Sequence, residues 1–272
     1  MKPLRYLIVL LVGLVIMSPP SAAQEKRLPT LFIIGDSTVR NSTQGLQGWG
    51  DAIGEYFDQT KIKVENRARG GRSSRTFFTE GLWDQVVSEL RSGDFVLMQF
   101  GHNDGGVVND DSRARGSLKG TGEETVEIDN LLTKKHEVVH TYGWYMKKFI
   151  SDSKAKGATP IVLSQIPRNI WKDGRVERVV GTYGGWAAAA AKSAGAFFFD
   201  LNDFVSLQYE AIGAERVGKE YFLTDHTHTT PLGARFNAQA VVFGITRLKN
   251  CSLAVFLLDK AKTSPSSGVK LQ

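Results

Sequence analysis

Short apolar runs that recur between longer amphipathic stretches constrain this chain more than any other feature. The runs lie at 31–34 (Leu-Phe-Ile-Ile), around Ile62 and Val64, at 95–100, at 160–163 and at 197–199. Each is short enough for a strand and apolar enough to be buried on both faces. Between and after them, 49–57, 82–90, 138–156, 179–194 and 232–248 carry helical periodicity. Gly157 and Gly195 follow two of these stretches as stop signals. Alternating strands and helices predict an α/β fold: a flavodoxin-like three-layer α/β/α sandwich around a five-stranded parallel sheet. In such sheets ligands bind beyond the carboxyl ends of the strands, where the strand order reverses. An order of 2-1-3-4-5 puts that point between the first and third strands.

The chain does not begin with this pattern. Lys2 and Arg5 precede an apolar run over 6–17, and the small residues Ser21 and Ala23 follow. This arrangement predicts a signal peptide over 1–23, removed before Gln24, and hence a secreted or periplasmic protein. Losing Lys2 and Arg5, with no acid, takes the formal charge from +6 to +4. That mild excess is compatible with an acidic polymer and too weak to argue for nucleic acid. No other stretch is apolar and long enough to span a membrane, so no membrane contact is expected once the signal is gone. Cys251 is the only cysteine, which excludes an internal disulfide; it reads as a small buried residue. The domain is expected over 24–262, as a monomer, with a disordered tail over 263–272. Residues 105–135 are polar and long for a loop. They read either as an excursion facing substrate or as a mobile surface loop. The apolar residues 252–258 read as an extra strand or helix.

Four short motifs sit where the chemistry of such a fold belongs. Gly35-Asp36-Ser37-Thr38 follows the first run directly. It holds a serine at the strand's carboxyl end, and it is not the Gly-x-Ser-x-Gly elbow. Gly70-Gly71-Arg72-Ser73 follows the second run, and glycine lets backbone N–H groups approach a reacting oxygen. Gly101-His102-Asn103-Asp104 follows the third, and the Asn103 amide can donate to an oxyanion. Asp225-His226-Thr227-His228 precedes the last helix. An Asp and a His three residues apart can meet within one turn, so that the carboxylate orients an imidazole base for a serine. Spacing favours His228 over His226.

With these motifs in view, the chain resembles the SGNH hydrolases, and within them the rhamnogalacturonan acetylesterase-like group, from about residue 31 to about 248. The stretch Phe100-Gly101-His102-Asn103-Asp104-Gly105-Gly106 is fairly specific to that group. The resemblance implies Ser37 as nucleophile, His228 as base and Asp225 as its orienter. It implies Gly71, Asn103 and the Ser37 backbone N–H as the oxyanion hole. It also implies no cofactor and no metal. The expected activity is removal of O-acetyl groups from an acetylated polysaccharide or oligosaccharide, rhamnogalacturonan or pectin foremost.

Residues that would hold the sugar are less sharply marked. Trp171, after the fourth run, can offer a ring to a sugar face, and His102 lies beside the oxyanion motif. Arg67, Arg69, Arg72 and Arg75 cluster around the second motif and can fork onto uronate carboxylates, Arg72 being the first candidate. Three other readings compete. One is a xylan or other ester hydrolase of the same fold. Another is a non-catalytic binder of acetylated glycan, against which the intact triad argues. The third is a metal hydrolase using His102, Asp104, His226 and His228, which lacks a His-Glu-x-x-His pattern.

Overall fold

A computed structural model describes residues 27–223 and 225–261. The expected signal segment over 1–23 and the expected tail over 263–272 lie outside them. The central sheet has five strands, all parallel: β1 (Thr30–Gly35), β2 (Lys63–Asn66), β3 (Phe95–Gln99), β6 (Thr159–Leu163) and β9 (Phe197–Phe199), in the order β2-β1-β3-β6-β9. Two small antiparallel hairpins stand apart from it. One pairs β4 (Thr125–Asp129) with β5 (His136–His140), the other β7 (Trp171–Lys172) with β8 (Arg175–Val176).

Every residue of β1 and of β3 is buried, as strands covered on both faces require. Successive side chains point to opposite faces, and two cores result. Leu31, Ile33, Leu97, Ile161 and Leu163 share one with Trp49, Val205, Val217 and Val241. Those four come from α1 (Trp49–Ala52), α6 (Leu201–Ile212), α7 (Ala214–Tyr221) and α8 (Pro231–Arg247) respectively. Phe32, Ile34, Val96, Met98 and Val162 share the other with Phe77, Trp83, Phe149 and Ala187. These lie on α2 (Ser74–Thr79), α3 (Leu82–Glu89), α4 (Tyr142–Ala155) and α5 (Tyr183–Ala194). The three-layer expectation therefore holds, with its reversal point between β1 and β3.

Several boundaries differ from the sequence reading. The helix expected from 138 begins at Tyr142. Residues 136–140, including Val138 and Val139, pair with β4, and the Thr141 hydroxyl caps the helix by accepting from the Trp144 N–H at 3.1 Å. The helix expected from 179 begins at Tyr183, and that expected over 49–57 is one α turn followed by a 3₁₀ turn over Ile53–Tyr56. Residues 252–256 form a further 3₁₀ turn that buries Leu253. Cys251 is buried. Helix α2 has no counterpart in the expected pattern. Its start is a reciprocal cap: the Ser73 hydroxyl accepts from the Thr76 N–H, and the Thr76 hydroxyl accepts from the Ser73 N–H.

The polar segment over 105–135 is tied down by its own hydrogen bonds. The Asp110 carboxylate accepts from the backbone N–H groups of Ser112, Arg113 and Ala114. The fully buried Arg75 guanidinium binds Glu137 in a fork and also donates to the carbonyls of Val108 and Gly116. This bridge fastens the segment to α2 and β5, and the Arg75 guanidinium is wholly committed to it.

Candidate active site

β1 ends at Gly35, whose register partner on β3 is Gln99. A Cβ at Gly35 would come within 2.5 Å of Val39 Cγ2 and 2.6 Å of the Gln99 carbonyl oxygen. Only glycine lets the chain turn so tightly against its neighbour. The turn is held from below. Asp36 Oδ1 accepts from the N–H and the hydroxyl of Thr38, at 2.9 and 2.8 Å. The Thr38 hydroxyl accepts from Gln99 Nε2 at 2.7 Å, and Gln99 Oε1 accepts from the Trp49 indole at 3.0 Å. Asp36, Thr38, Gln99 and Trp49 are all buried. The network fixes the backbone on either side of Ser37 and leaves its hydroxyl free to face the cleft.

That hydroxyl meets His228 Nε2 at 2.8 Å, and His228 Nδ1 meets Asp225 Oδ2 at 2.8 Å. The other oxygen, Asp225 Oδ1, accepts from the backbone N–H groups of Thr227 and His228 at 2.6 and 2.7 Å. Burial works against the Asp225 charge. The hydrogen bonds from the His228 side chain and from these two amides outweigh it and hold the carboxyl at about 2. Asp225 thus stays an acceptor, which favours the His228 tautomer with a proton on Nδ1 and a lone pair toward Ser37. His226 turns elsewhere: its Nε2 lies 3.2 Å from Arg168 Nη1. Of the two candidate histidines, only His228 contacts the serine.

The second and third motifs close on the same point. Arg69 N–H donates to the Gly35 carbonyl, and the Gly70 Cα, were it to carry a Cβ, would place it 3.7 Å from Ser37 Cβ. Gly71 follows with φ +79°, a left-handed conformation that suits glycine. Asn103 is held by Nδ2 donating to the Arg72 carbonyl at 2.8 Å. Ser37, Gly71, Asn103, Asp225 and His228 all line one open cleft of about 930 Å³. A serine with a base on its hydroxyl, beside amide donors, can perform acyl transfer through a tetrahedral intermediate.

Two buried ionisable groups border this arrangement. Burial, opposed by the nearby Asp36 charge, pushes His102 down to about 4, so it is a neutral wall of the cleft. Burial pushes Asp104 up to about 7, against hydrogen bonds from Ser74 and Ser117. Both Asp104 oxygens are within reach of the Ser74 N–H, so the residue stitches the second motif to the third. Among the described residues no three His, Cys, Asp or Glu side chains are grouped as metal ligands.

The residues expected to hold sugar divide. Arg69, Arg72 and His102 line the cleft. Trp171 does not: it packs against the core, and its indole donates to Asn169 Oδ1 at 2.7 Å. It does follow β6, as expected, but the β7–β8 hairpin turns its ring away. Arg67 is paired with Glu65 and Glu89. The sequence reading missed Arg40, Arg113, Arg115 and Arg168, which also line the cleft. Arg168 carries the same signal that singled out Trp171, a position just beyond the fourth sheet strand. Arg113 and Arg115 come from the polar segment, where nothing in the sequence says which residues face inward. Among the described residues, only Arg72 of these six cleft arginines pairs with a carboxylate, that of Glu80 at 2.9 Å.

The chain is similar to known proteins. The sequence pattern of the GDSL-like lipase/acylhydrolase family matches residues 33–236. A rhamnogalacturonan acetylesterase of Emericella nidulans is 35% identical over 211 residues, 78% of this chain and 82% of that protein. The rhamnogalacturonan acetylesterase RhgT of Bacillus subtilis is 28% identical over 235 residues, covering 80% of this chain and 90% of that one. The crystal structure of Bacillus subtilis YxiM superimposes with a TM-score of 0.65 at 25% identity, over 81% of this chain and 57% of that one.

Proposed function

The chain belongs to the GDSL-like lipase/acylhydrolase family and is a carboxylic ester hydrolase; from that premise we propose that it removes O-acetyl groups from an acidic plant cell-wall polysaccharide, rhamnogalacturonan, by a serine mechanism. The observation that carries the substrate class is the cleft's charge. Six arginines line it against two carboxylates: Glu80 is engaged by Arg72 and Asp225 by His228, which leaves five arginines without a carboxylate partner among the described residues. Like charges left unpaired in one concavity repel each other, and an anionic ligand relieves that repulsion. Guanidinium forks match carboxylates, and galacturonate residues supply them at regular intervals. The two curated relatives named above carry rhamnogalacturonan in their names.

In the mechanism, His228 Nε2 takes the proton of Ser37 as Oγ attacks the acetyl carbonyl. The carbonyl oxygen becomes an oxyanion held by the N–H groups of Ser37 and Gly71 and by Asn103 Nδ2. The intermediate collapses, and the sugar oxygen leaves with the proton from His228. Water, deprotonated by the same imidazole, attacks the acetyl-serine, and acetate departs as the proton returns to Ser37. Asp225 holds the imidazole in place and stabilises its cation throughout. The expected signal segment would put this activity in the periplasm or medium.

The test is acetate release from acetylated rhamnogalacturonan, acetylated xylan and an aryl acetate, with Ser37→Ala alongside. Preference for the uronate polymer, lost in Ser37→Ala, is the expected result. Equal turnover of neutral xylan would remove the substrate assignment, and activity surviving in Ser37→Ala would remove the mechanism.

A further inference from the structure

We infer that Arg72 is a positioning residue for the oxyanion hole rather than a reader of substrate carboxylates. The inference rests on the serine-esterase reading above and adds to it a residue that sets the strength of the transition-state donors.

Three contacts carry it. Arg72 Nη1 donates to the Gly70 carbonyl at 3.1 Å. That carbonyl belongs to the same peptide unit as the Gly71 N–H, one of the proposed oxyanion donors. The Arg72 backbone carbonyl accepts from Asn103 Nδ2 at 2.8 Å, which fixes the amide that supplies another. Arg72 Nε, finally, is paired with Glu80 Oε2 at 2.9 Å, which anchors the guanidinium from the far side. One residue therefore grips two donors, by its side chain and by its main chain.

The first contact has an electronic as well as a geometric effect. A cationic donor on a peptide oxygen draws electron density from the amide and makes its N–H a better donor. The Gly70–Gly71 unit needs an external grip, because glycines at both positions leave its torsions soft and Gly71 is already at φ +79°. Arg115 supports the same turn, its Nη1 donating to the Gly71 carbonyl at 3.0 Å. Among the described residues Arg72 alone of the six cleft arginines has a carboxylate partner, and with Nε on Glu80 and Nη1 on Gly70 its guanidinium is held in one orientation toward the turn.

The experiment is steady-state turnover of a small aryl acetate, which carries no carboxylate, by wild type, Arg72→Gln, Arg72→Lys and Glu80→Gln. Affinity for phenylboronic acid, which forms a tetrahedral adduct on a serine nucleophile, is measured beside it. Wild type must turn over the aryl acetate and Ser37→Ala must not; failure there sinks the serine-esterase reading itself. Given that, Arg72→Gln is expected to lose about tenfold in kcat, a part of the roughly 10²–10³ that one oxyanion donor supplies. KM is expected to stay within about twofold, since the contact acts on the transition state. Boronate affinity should fall in step with kcat/KM, and Arg72→Lys, which keeps the cation, should recover part of the loss. Unchanged kcat on the aryl acetate, with KM raised only for acetylated rhamnogalacturonan, overturns the inference and returns Arg72 to substrate binding. If Arg72→Gln does not fold, Glu80→Gln decides: a kcat loss in the same direction supports the inference, and an unchanged kcat refutes it.

Discussion

Replacing Asp104 by asparagine should change how the stability of this enzyme depends on pH. The Asp104 carboxyl is 1% exposed, and burial raises it from 3.8 to about 7 in the folded protein. In the unfolded chain it titrates near the ordinary value of about 3.9. Between those two values the folded protein binds more protons than the unfolded one, so stability falls as pH rises. Below about pH 4 the group is protonated in both states and costs nothing; above about pH 7 it is ionised in both, and the fold carries the full penalty. A separation of about three units at about 1.4 kcal/mol each gives an upper bound of roughly 4 kcal/mol. The substituted amide would not titrate, and the loss of one acceptor oxygen would shift the variant's curve by a pH-independent amount. Urea unfolding of wild type and Asp104→Asn at pH 5, 6, 7 and 8 reads the difference, with every other titrating group cancelling. The variant should gain on wild type by about 2–4 kcal/mol across that window. A constant difference would refute the reasoning: it would show that the bonds from Ser74 and Ser117 offset burial and keep the carboxylate ionised in the folded protein across this window.

Other outcomes follow from the same geometry. Asn103→Ala should lower kcat by roughly 10²–10³ with little change in KM, read on an aryl acetate. Gly35→Ala should destabilise the fold by at least about 1–3 kcal/mol in chemical denaturation, because its Cβ would meet Val39 and the Gln99 carbonyl. Arg113→Glu, at the exposed rim, should raise KM for acetylated rhamnogalacturonan more than for an aryl acetate. That gap should narrow as salt is raised from about 50 to about 500 mM, a range that shortens the screening length from about 14 to about 4 Å; a gap insensitive to salt would count against an electrostatic origin.

What the sequence by itself determined is local. Strands buried on both faces announce themselves as apolar runs, whatever the rest of the chain does. The loops that follow them are marked by glycines, such as Gly35 and Gly71, because a backbone that turns tightly or enters the left-handed region admits little else. Ser37, Asn103, Asp225 and His228 were legible because each sits beside such a marker or a helix start. Tertiary structure decided whatever depends on partners distant in the chain. Residues 138–140 have helical pattern on their own, but strand β4 was there to pair with them. Trp171 stands just beyond a strand end, but the β7–β8 hairpin sets its ring against the core. Spacing from Asp225 only favours His228 over His226; in the fold it is His228 that meets Ser37, 191 positions away, while His226 lies against Arg168. The arginines make the same point. Arg67 and Arg75 are neutralised by Glu65, Glu89 and Glu137, while Arg113 and Arg115 from the polar segment and Arg168 from beyond β6 converge on the cleft. An ionic or hydrogen-bonding partner is set by three-dimensional proximity, which no local pattern encodes, so the candidate residues could be read from the chain but the charge of the cleft around them could not.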